Sequence, residues 1–197
     1  MKIKRFIGGV LEANGYVISA LPEGDEDDCY IIDPGYNPKR FIEYINENKL
    51  NLKGIILTHH HSDHSGAATR IKKEMDCPVM IHRGDGDALR DYADIMLEDG
   101  DEIDGLRIIH TPGHTKGGIC IMNEKDRLCF TGDTIFNVDL GRTDLGDGSD
   151  REMEATILDI IDKWPNDITI YPGHGDPATM KKVRRINTEF LDIVNRR

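Results

Sequence analysis

The stretch that most constrains this chain is Thr58-His59-His60-His61-Ser62-Asp63-His64, set directly behind the apolar run Gly54-Ile55-Ile56-Leu57. A short apolar run of this kind reads as a buried strand. Successive residues leaving a strand point to opposite sides, so His59 and His61 converge and His60 faces elsewhere. The chain must then turn, because Ser65-Gly66-Ala67-Ala68 opens a helical pattern, and Asp63 and His64 fall at that turn. Two imidazoles thus come from the strand end, and a carboxylate and a third imidazole from the start of the helix. Such a set can feed two adjacent metal ions better than one, and clusters of this type are rarely structural decoration. The plainer explanation is a surface histidine cluster or a fragment of an expression tag. A tag would sit at a terminus, and none carries the interleaved Asp63.

Three more candidates follow the same logic. His114 lies behind Thr111-Pro112-Gly113, Asp133 behind Phe130-Thr131-Gly132, and His174 in Tyr171-Pro172-Gly173-His174-Gly175. Each sits just past a run expected to be a strand (106–111, 127–131 and 168–171), where loops carry function on a rigid scaffold. His60, His82 and His110 are expected to be structural. Asp33 is a candidate to orient a ligating histidine, since such histidines usually donate their second N–H to a carboxylate or carbonyl. A turn-forming aspartate before Pro34-Gly35 is the alternative. Thr58 and Thr115 are further candidates for orienting roles.

The rest of the chain supplies layers for such a site. Residues 3–20 read as two antiparallel strands with breaks at Gly8-Gly9 and Asn14-Gly15. An acidic loop, Glu23 to Asp28, leads to a strand at Cys29-Tyr30-Ile31-Ile32. Asn37 is expected to cap a helix with Pro38 at its first position and Phe41, Ile42 and Ile45 as its buried stripe. The helix behind the histidine motif should bury Ala67, Ala68, Ile71 and Met75. A strand at 78–82 and a helix near 85–93 follow, then strands near 106–111, 117–122 and 127–131. Ser149 and Glu152 form a capping box ahead of a helix burying Met153, Ile157, Ile160, Ile161 and Trp164. After a last strand at 168–171, one final helix should bury Val183, Ile186, Phe190 and Ile193. Strands and helices alternate twice over, with the first half ending near residue 110, which suits two sheets packed face to face with helices outside. Residues 1–197 are expected to form a single domain.

Composition narrows the partners. A hydrophobic fraction of 38% with no run near the roughly 20 apolar residues of a membrane span fits a soluble globular protein. The opening Met1-Lys2-Ile3-Lys4-Arg5-Phe6 has no following signal-type apolar core, so a cytoplasmic location is expected. Cys29, Cys77, Cys120 and Cys129 form no Cys-x-x-Cys and are expected to be small buried hydrophobes in a reducing compartment. A formal net charge of −11 argues against nucleic acid as a partner.

The four motifs, in this order, resemble the metallo-β-lactamase superfamily, whose signature is Thr-His-x-His-x-Asp-His. The resemblance covers nearly the whole chain and implies an α/β fold: a four-layer αββα sandwich of two mixed β-sheets flanked by helices, with the metal site at one edge between the sheets. It also implies a ligand set. His59, His61 and His114 would hold a first metal ion, Asp63, His64 and His174 a second, and Asp133 would bridge them. The implied cofactors are two divalent ions, zinc first, with iron or manganese also compatible with an all-nitrogen-and-oxygen donor set. A hydroxide bridging two ions roughly 3.5–4 Å apart would be the nucleophile, with Asp63 and Asp133 as the catalytic carboxylates.

Gly141-Arg142-Thr143-Asp144 together with Tyr171-Pro172-Gly173-His174-Gly175 looks like the short glyoxalase II-like, or hydroxyacylglutathione hydrolase-like, branch. That branch hydrolyses S-D-lactoylglutathione. Its classical members carry an extra helical domain that helps hold glutathione, and only 22 residues follow Gly175, so a related acyl thioester is the further expectation. The expected partner is a small anionic thioester, with Arg142 as a bidentate clamp for a substrate carboxylate. The alternative for Arg142 is a surface pair with Asp139 or Asp144. The basic run Lys181, Lys182, Arg184 and Arg185 is expected to be a solvated helix face. The competing activity is that of a mononuclear iron persulfide dioxygenase-like enzyme, whose ligands would be His59, His114 and Asp133.

Overall fold

The computed structural model describes residues 1–196. Six strands, β1 (Lys2–Gly8), β2 (Ala13–Ser19), β3 (Asp28–Ile32), β4 (Asn51–Leu57), β5 (Val79–His82) and β6 (Ile95–Leu97), form a first sheet in that order. β1, β2 and β3 pair antiparallel, and β3 to β6 pair parallel. The parallel crossovers carry α1 (Pro38–Glu47), then α2 (Ser62–Ser65) with α3 (Ala68–Met75), then α4 (Arg83–Gly86). The second sheet holds β7 (Glu102–Ile103), β8 (Leu106–His110), β9 (Ile119–Asn123), β10 (Leu128–Gly132), β11 (Thr169–Pro172) and β12 (Ala178–Thr179), in the order β12-β11-β10-β9-β8-β7. In it β10 and β11 pair parallel across α5 (Asp150–Asp159), and the other neighbours pair antiparallel. Helices α6 (Met180–Ile186) and α7 (Thr188–Asn195) follow.

Side chains alternate along a strand, so each sheet feeds two cores. Val17, Ile31, Ile55, Leu57, Val79 and Ile81 face outward onto Phe41 and Ile45 of α1 and Ala68 and Ile71 of α3. Their neighbours Tyr16, Ile18, Tyr30, Ile32, Ile56 and Met80 face the second sheet, where they meet Leu106, Ile108, Ile119, Ile121, Leu128 and Phe130. The Tyr16 and Phe130 rings stand 5.1 Å apart, edge to face, across that interface. The far side of the second sheet, with Cys120, Met122, Cys129 and Ile170, is covered by Met153, Ile157, Val183 and Phe190 of α5, α6 and α7. The result is the expected αββα sandwich, and all four cysteines are free and buried within it. No described helix is long and apolar enough to cross a membrane.

Several local expectations are corrected. Asn14-Gly15 is no break but lies inside β2, and the hairpin turn falls at Gly9–Glu12, closed by Glu12 N–H to Gly9 O at 3.3 Å. Gly15 is required there because a Cβ would stand 2.7 Å from both the Phe41 ring and the Asp33 carbonyl. The helix near 85–93 shrinks to the single turn α4 and a 3-10 turn at Asp87–Leu89, with β6 following. Gly84-Asp85-Gly86 offers no apolar stripe, and Asp85 is drawn inward by hydrogen bonds instead. Asn37 precedes Pro38 as expected but has left-handed backbone and no side-chain capping bond. The final helix is two helices, because Asn187 leaves helical geometry and its side chain accepts from Phe190 N–H at 2.9 Å to cap α7. Ile186 is consequently exposed, and Ile42, Met75 and Ile160 are only partly buried. β12 follows the strand expected to be last, and the first sheet ends at Leu97, since β7 and β8 belong to the second.

Candidate metal centre

β8, β10 and β11 run the same way, and the segments leaving their ends meet the segment leaving β4. His59 and His61 leave β4, and Asp63 and His64 lie in the single turn α2, one turn earlier than the helical pattern suggested. His114 sits in the loop after β8, braced where Ser149 N–H donates to Gly113 O and Thr156 Oγ1 to Pro112 O. Gly132 takes a left-handed φ of 47° at the end of β10, where a Cβ would collide with Thr58 Oγ1, and Asp133 follows. His174 is anchored from the opposite sheet. Asn14 N–H donates to Gly173 O at 2.7 Å, and the Asn14 amide and Tyr16 hydroxyl both donate to Pro172 O.

The seven side chains converge. His59, His61 and His114 form one triad of donors, and Asp63, His64 and His174 a second. Asp133 lies between them, its carboxylate 3.5 Å from His114 Nε2, 3.4 Å from His64 Nε2 and 3.5 Å from His174 Nε2. Asp63 Oδ2 stands 3.3 Å from His174 Nε2. His61 Nδ1 faces His114 Nε2 at 2.9 Å, and His64 Nε2 faces His174 Nε2 at 3.2 Å. Ligands about 2.0–2.1 Å from one tetrahedral ion stand about 3.3 Å from each other, so these spacings match a metal-binding set. His59 Nε2 and Asp133 Oδ1 are buried without a hydrogen-bond partner among the described residues. Buried polar atoms of that kind call for an explanation, and a cation supplies one.

The second nitrogen of four histidines is held from behind. Asp33 Oδ2 faces His64 Nδ1 at 3.2 Å, Thr58 Oγ1 faces His59 Nδ1 at 3.0 Å, the Arg142 carbonyl accepts from His114 Nδ1 at 2.6 Å, and the Leu11 carbonyl from His174 Nδ1 at 3.0 Å. Each contact orients a lone pair inward. Asp33 and Thr58 therefore stand where the sequence suggested. Thr115 instead donates to Asp85 at 2.9 Å. Asp85, which sequence reasoning missed, also accepts from the backbone N–H and the Nδ1 of His60, both at 2.9 Å, so His60 is turned away from the centre. Its signal was faint: one Asp between two glycines just past a strand. The backbone carbonyls of Leu11 and Arg142 leave no side-chain signal at all. His82 and His110 stack 4.1 Å apart, outside the centre.

Electrostatics favour a cation. Burial, and then the neighbouring imidazoles, hold His59 well below its usual value, and burial lowers His61 too, which keeps both neutral and able to ligate. Burial opposes charge on Asp63, but the hydrogen bond from His174 and the charge of His64 bring it down to about 2. Burial likewise works against Asp133, and His64, His174 and His114 overcome it, so its carboxyl lies below the ordinary range. Burial pulls His174 down, yet Asp133 and Asp63 raise it to about 10. The two carboxylates demand positive charge nearby.

Arg142 lies on the wall of a cavity of about 670 Å³ beside the centre, and its guanidinium is paired with Asp144 at 2.7 and 2.8 Å. Arg184 is engaged by Asn166 and by the carbonyls of Asp162 and Trp164, as a structural residue.

Residues 8–174 match the family model of the metallo-beta-lactamase superfamily. A hydroxyacylglutathione hydrolase (GloC) of Haemophilus influenzae is 33% identical, over 83% of this chain and 87% of its own. Among solved structures, BLEG-1 B3 metallo-beta-lactamase superposes with a TM-score of 0.83 at 27% identity, covering 94% of this chain and 98% of its own. TTHA1623, crystallised in a di-iron-bound form, gives a TM-score of 0.83 at 27% identity, covering 93% and 98%.

Proposed function

The chain belongs to the metallo-β-lactamase superfamily, in its glyoxalase II-like branch, and from that premise we propose that it is a dinuclear metal-dependent thioester hydrolase. S-D-lactoylglutathione and related acyl thioesters are its substrate class. The observation that carries this reading is the pair of complete donor triads meeting at Asp133, with His59 Nε2 and Asp133 Oδ1 buried and unpartnered among the described residues. His59, His61 and His114 would hold one ion, Asp63, His64 and His174 the other, and Asp133 both. Zinc, iron and manganese all suit these donors, and the di-iron form of a structural relative supports two-ion occupancy. Two divalent ions held there would supply a water that ionises near neutral pH and a Lewis acid for the acyl oxygen.

The protein's own groups do the rest. Asp63, at the start of α2, and Asp133 remain ionised, their carboxylates 3.3 and 3.5 Å from His174 Nε2. The carbonyls of Arg142 and Leu11 fix the rings of His114 and His174 beside the cavity in which the substrate would lie. A thiol of ordinary pKa about 8.5 leaves as a weakly basic thiolate, so no strong general acid is required. The four cysteines are buried, away from this cavity, and are not nucleophiles. The test is a paired assay on protein carrying its native metal, following thiol release from acyl thioesters and oxygen uptake with a persulfide. Thiol release without oxygen uptake is expected. Oxygen uptake with one iron per chain would replace this reading with a persulfide dioxygenase.

A further inference from the structure

We infer that the cavity beside the centre selects thioesters with an apolar acyl chain, held between two turns that present aliphatic side chains to solvent. The inference rests on the thioesterase reading and names the substrate class for it. Turn tips are ordinarily polar, because their backbone is solvated and their residues are chosen for conformation. Here two tips break that rule at the same place. The turn Gly9–Glu12 carries Val10 and Leu11, which are 98% and 62% exposed. The turn Phe136–Asp139 carries Val138, 48% exposed, and Leu145 on the same loop is 38% exposed. Leu11, Val138 and Leu145 line the cavity, together with Phe136, whose ring stands 5.9 Å from that of His174.

The second turn is braced for this presentation. Its backbone closes with Phe136 N–H to Asp139 O at 3.0 Å. The buried Asn187 amide donates to both Phe136 O and Asp139 O, at 3.1 and 2.8 Å, and Glu189 accepts from Leu140 N–H at 2.7 Å. The first turn is held by the Leu11 carbonyl on His174 Nδ1. Fixed aliphatic groups aimed at open solvent next to a reactive centre form a binding wall for apolar matter. The charges on this wall point the same way. Asp139 is acidic, and the guanidinium of Arg142 is neutralised by Asp144 at 2.7 Å, so no unpaired side-chain cation among the cavity's described residues outside the histidines receives a carboxylate.

The experiment uses full-length, metal-loaded protein and S-acyl-N-acetylcysteamine thioesters, whose carrier is uncharged. Each methylene removed from water is worth about fourfold in affinity. From acetyl to hexanoyl, kcat/KM is expected to rise at least tenfold, and to exceed that for S-D-lactoylglutathione. In Val138→Asp and, separately, Leu145→Asp, both at exposed positions, the hexanoyl-to-acetyl ratio should fall below about threefold. A flat chain-length series, or a preference for the glutathione carrier, overturns the inference while leaving the thioesterase reading intact. If no thioester is hydrolysed, the thioesterase reading fails by itself. Calorimetry with the thioether S-hexyl-N-acetylcysteamine then decides the inference: binding weakened at least tenfold by Val138→Asp upholds it, and absence of binding to the unaltered protein overturns it.

Discussion

Replacing Asp33 by Asn separates the support of the centre from the support of the fold. Asp33 is buried at 2% exposure and has a left-handed φ of 50°, which Asn tolerates almost as well as Asp. Its Oδ1 accepts from Thr58 N–H at 2.7 Å, its Oδ2 accepts from Thr58 Oγ1 at 2.6 Å, and Oδ2 also faces His64 Nδ1 at 3.2 Å. In Asp33→Asn the first bond survives. The amide NH2 then stands where Oδ2 was, and the Thr58 hydroxyl can rotate to accept from it. His64 Nδ1 must also become an acceptor, which moves the imidazole proton to Nε2, the nitrogen that faces His174 and Asp133. The lone pair offered to the centre is lost. Stability of the metal-free protein should fall by about 1–3 kcal/mol, the range for weakening buried charge-assisted hydrogen bonds. Affinity at the Asp63–His64–His174 triad should fall about 10–100-fold, as when an orienting partner is removed. Urea denaturation gives the first quantity and competition with a chromogenic chelator the second. Two ions bound at unaltered affinity in Asp33→Asn would refute the orienting role.

Other substitutions probe the cavity wall, the α7 cap and the buried core. Arg142→Ala breaks an exposed pair with Asp144, so denaturation should register a loss of no more than about 1 kcal/mol, with metal content unchanged by elemental analysis. Asn187→Ala removes the α7 cap and both bonds to the 136–139 turn, and should cost about 2–4 kcal/mol in the same experiment. Phe190→Ala, emptying a fully packed site under the second sheet, should cost about 3–5 kcal/mol. Replacing the four buried cysteines with Ala or Ser should leave kcat within about tenfold where the protein folds, and an acyl-enzyme trapped by rapid quench would contradict a water nucleophile.

Much of the centre was legible because its side chains sit just past apolar runs, two of them closed by Pro-Gly at Pro112-Gly113 and Pro172-Gly173. His59 and His61 converge for the reason their spacing gives, and His60 faces away, onto Asp85. The sandwich followed from strands apolar on both faces, such as Ile55-Ile56-Leu57, which must feed two cores. What escaped was set by tertiary contact. Asn14-Gly15 carries a strong turn signal, yet Gly15 is there because Phe41 and the Asp33 backbone approach it. The apolar periodicity from Val183 to Ile193 runs through Asn187 without a visible break, and only its bonds to the 136–139 turn explain why the helix divides there. Asp85 binds groups 25 to 32 positions away in sequence, and spacing alone does not predict contacts at that range.

If two complete ligand sets share Asp133, the chain binds two ions, and metal stoichiometry decides the matter. Metal-free protein should be titrated with zinc, and separately with iron, alongside His64→Ala. Two equivalents are expected on the unaltered chain and one on His64→Ala, because the His59–His61–His114 triad survives that substitution. A single equivalent at saturation in both proteins would contradict the sharing of Asp133 by two sets.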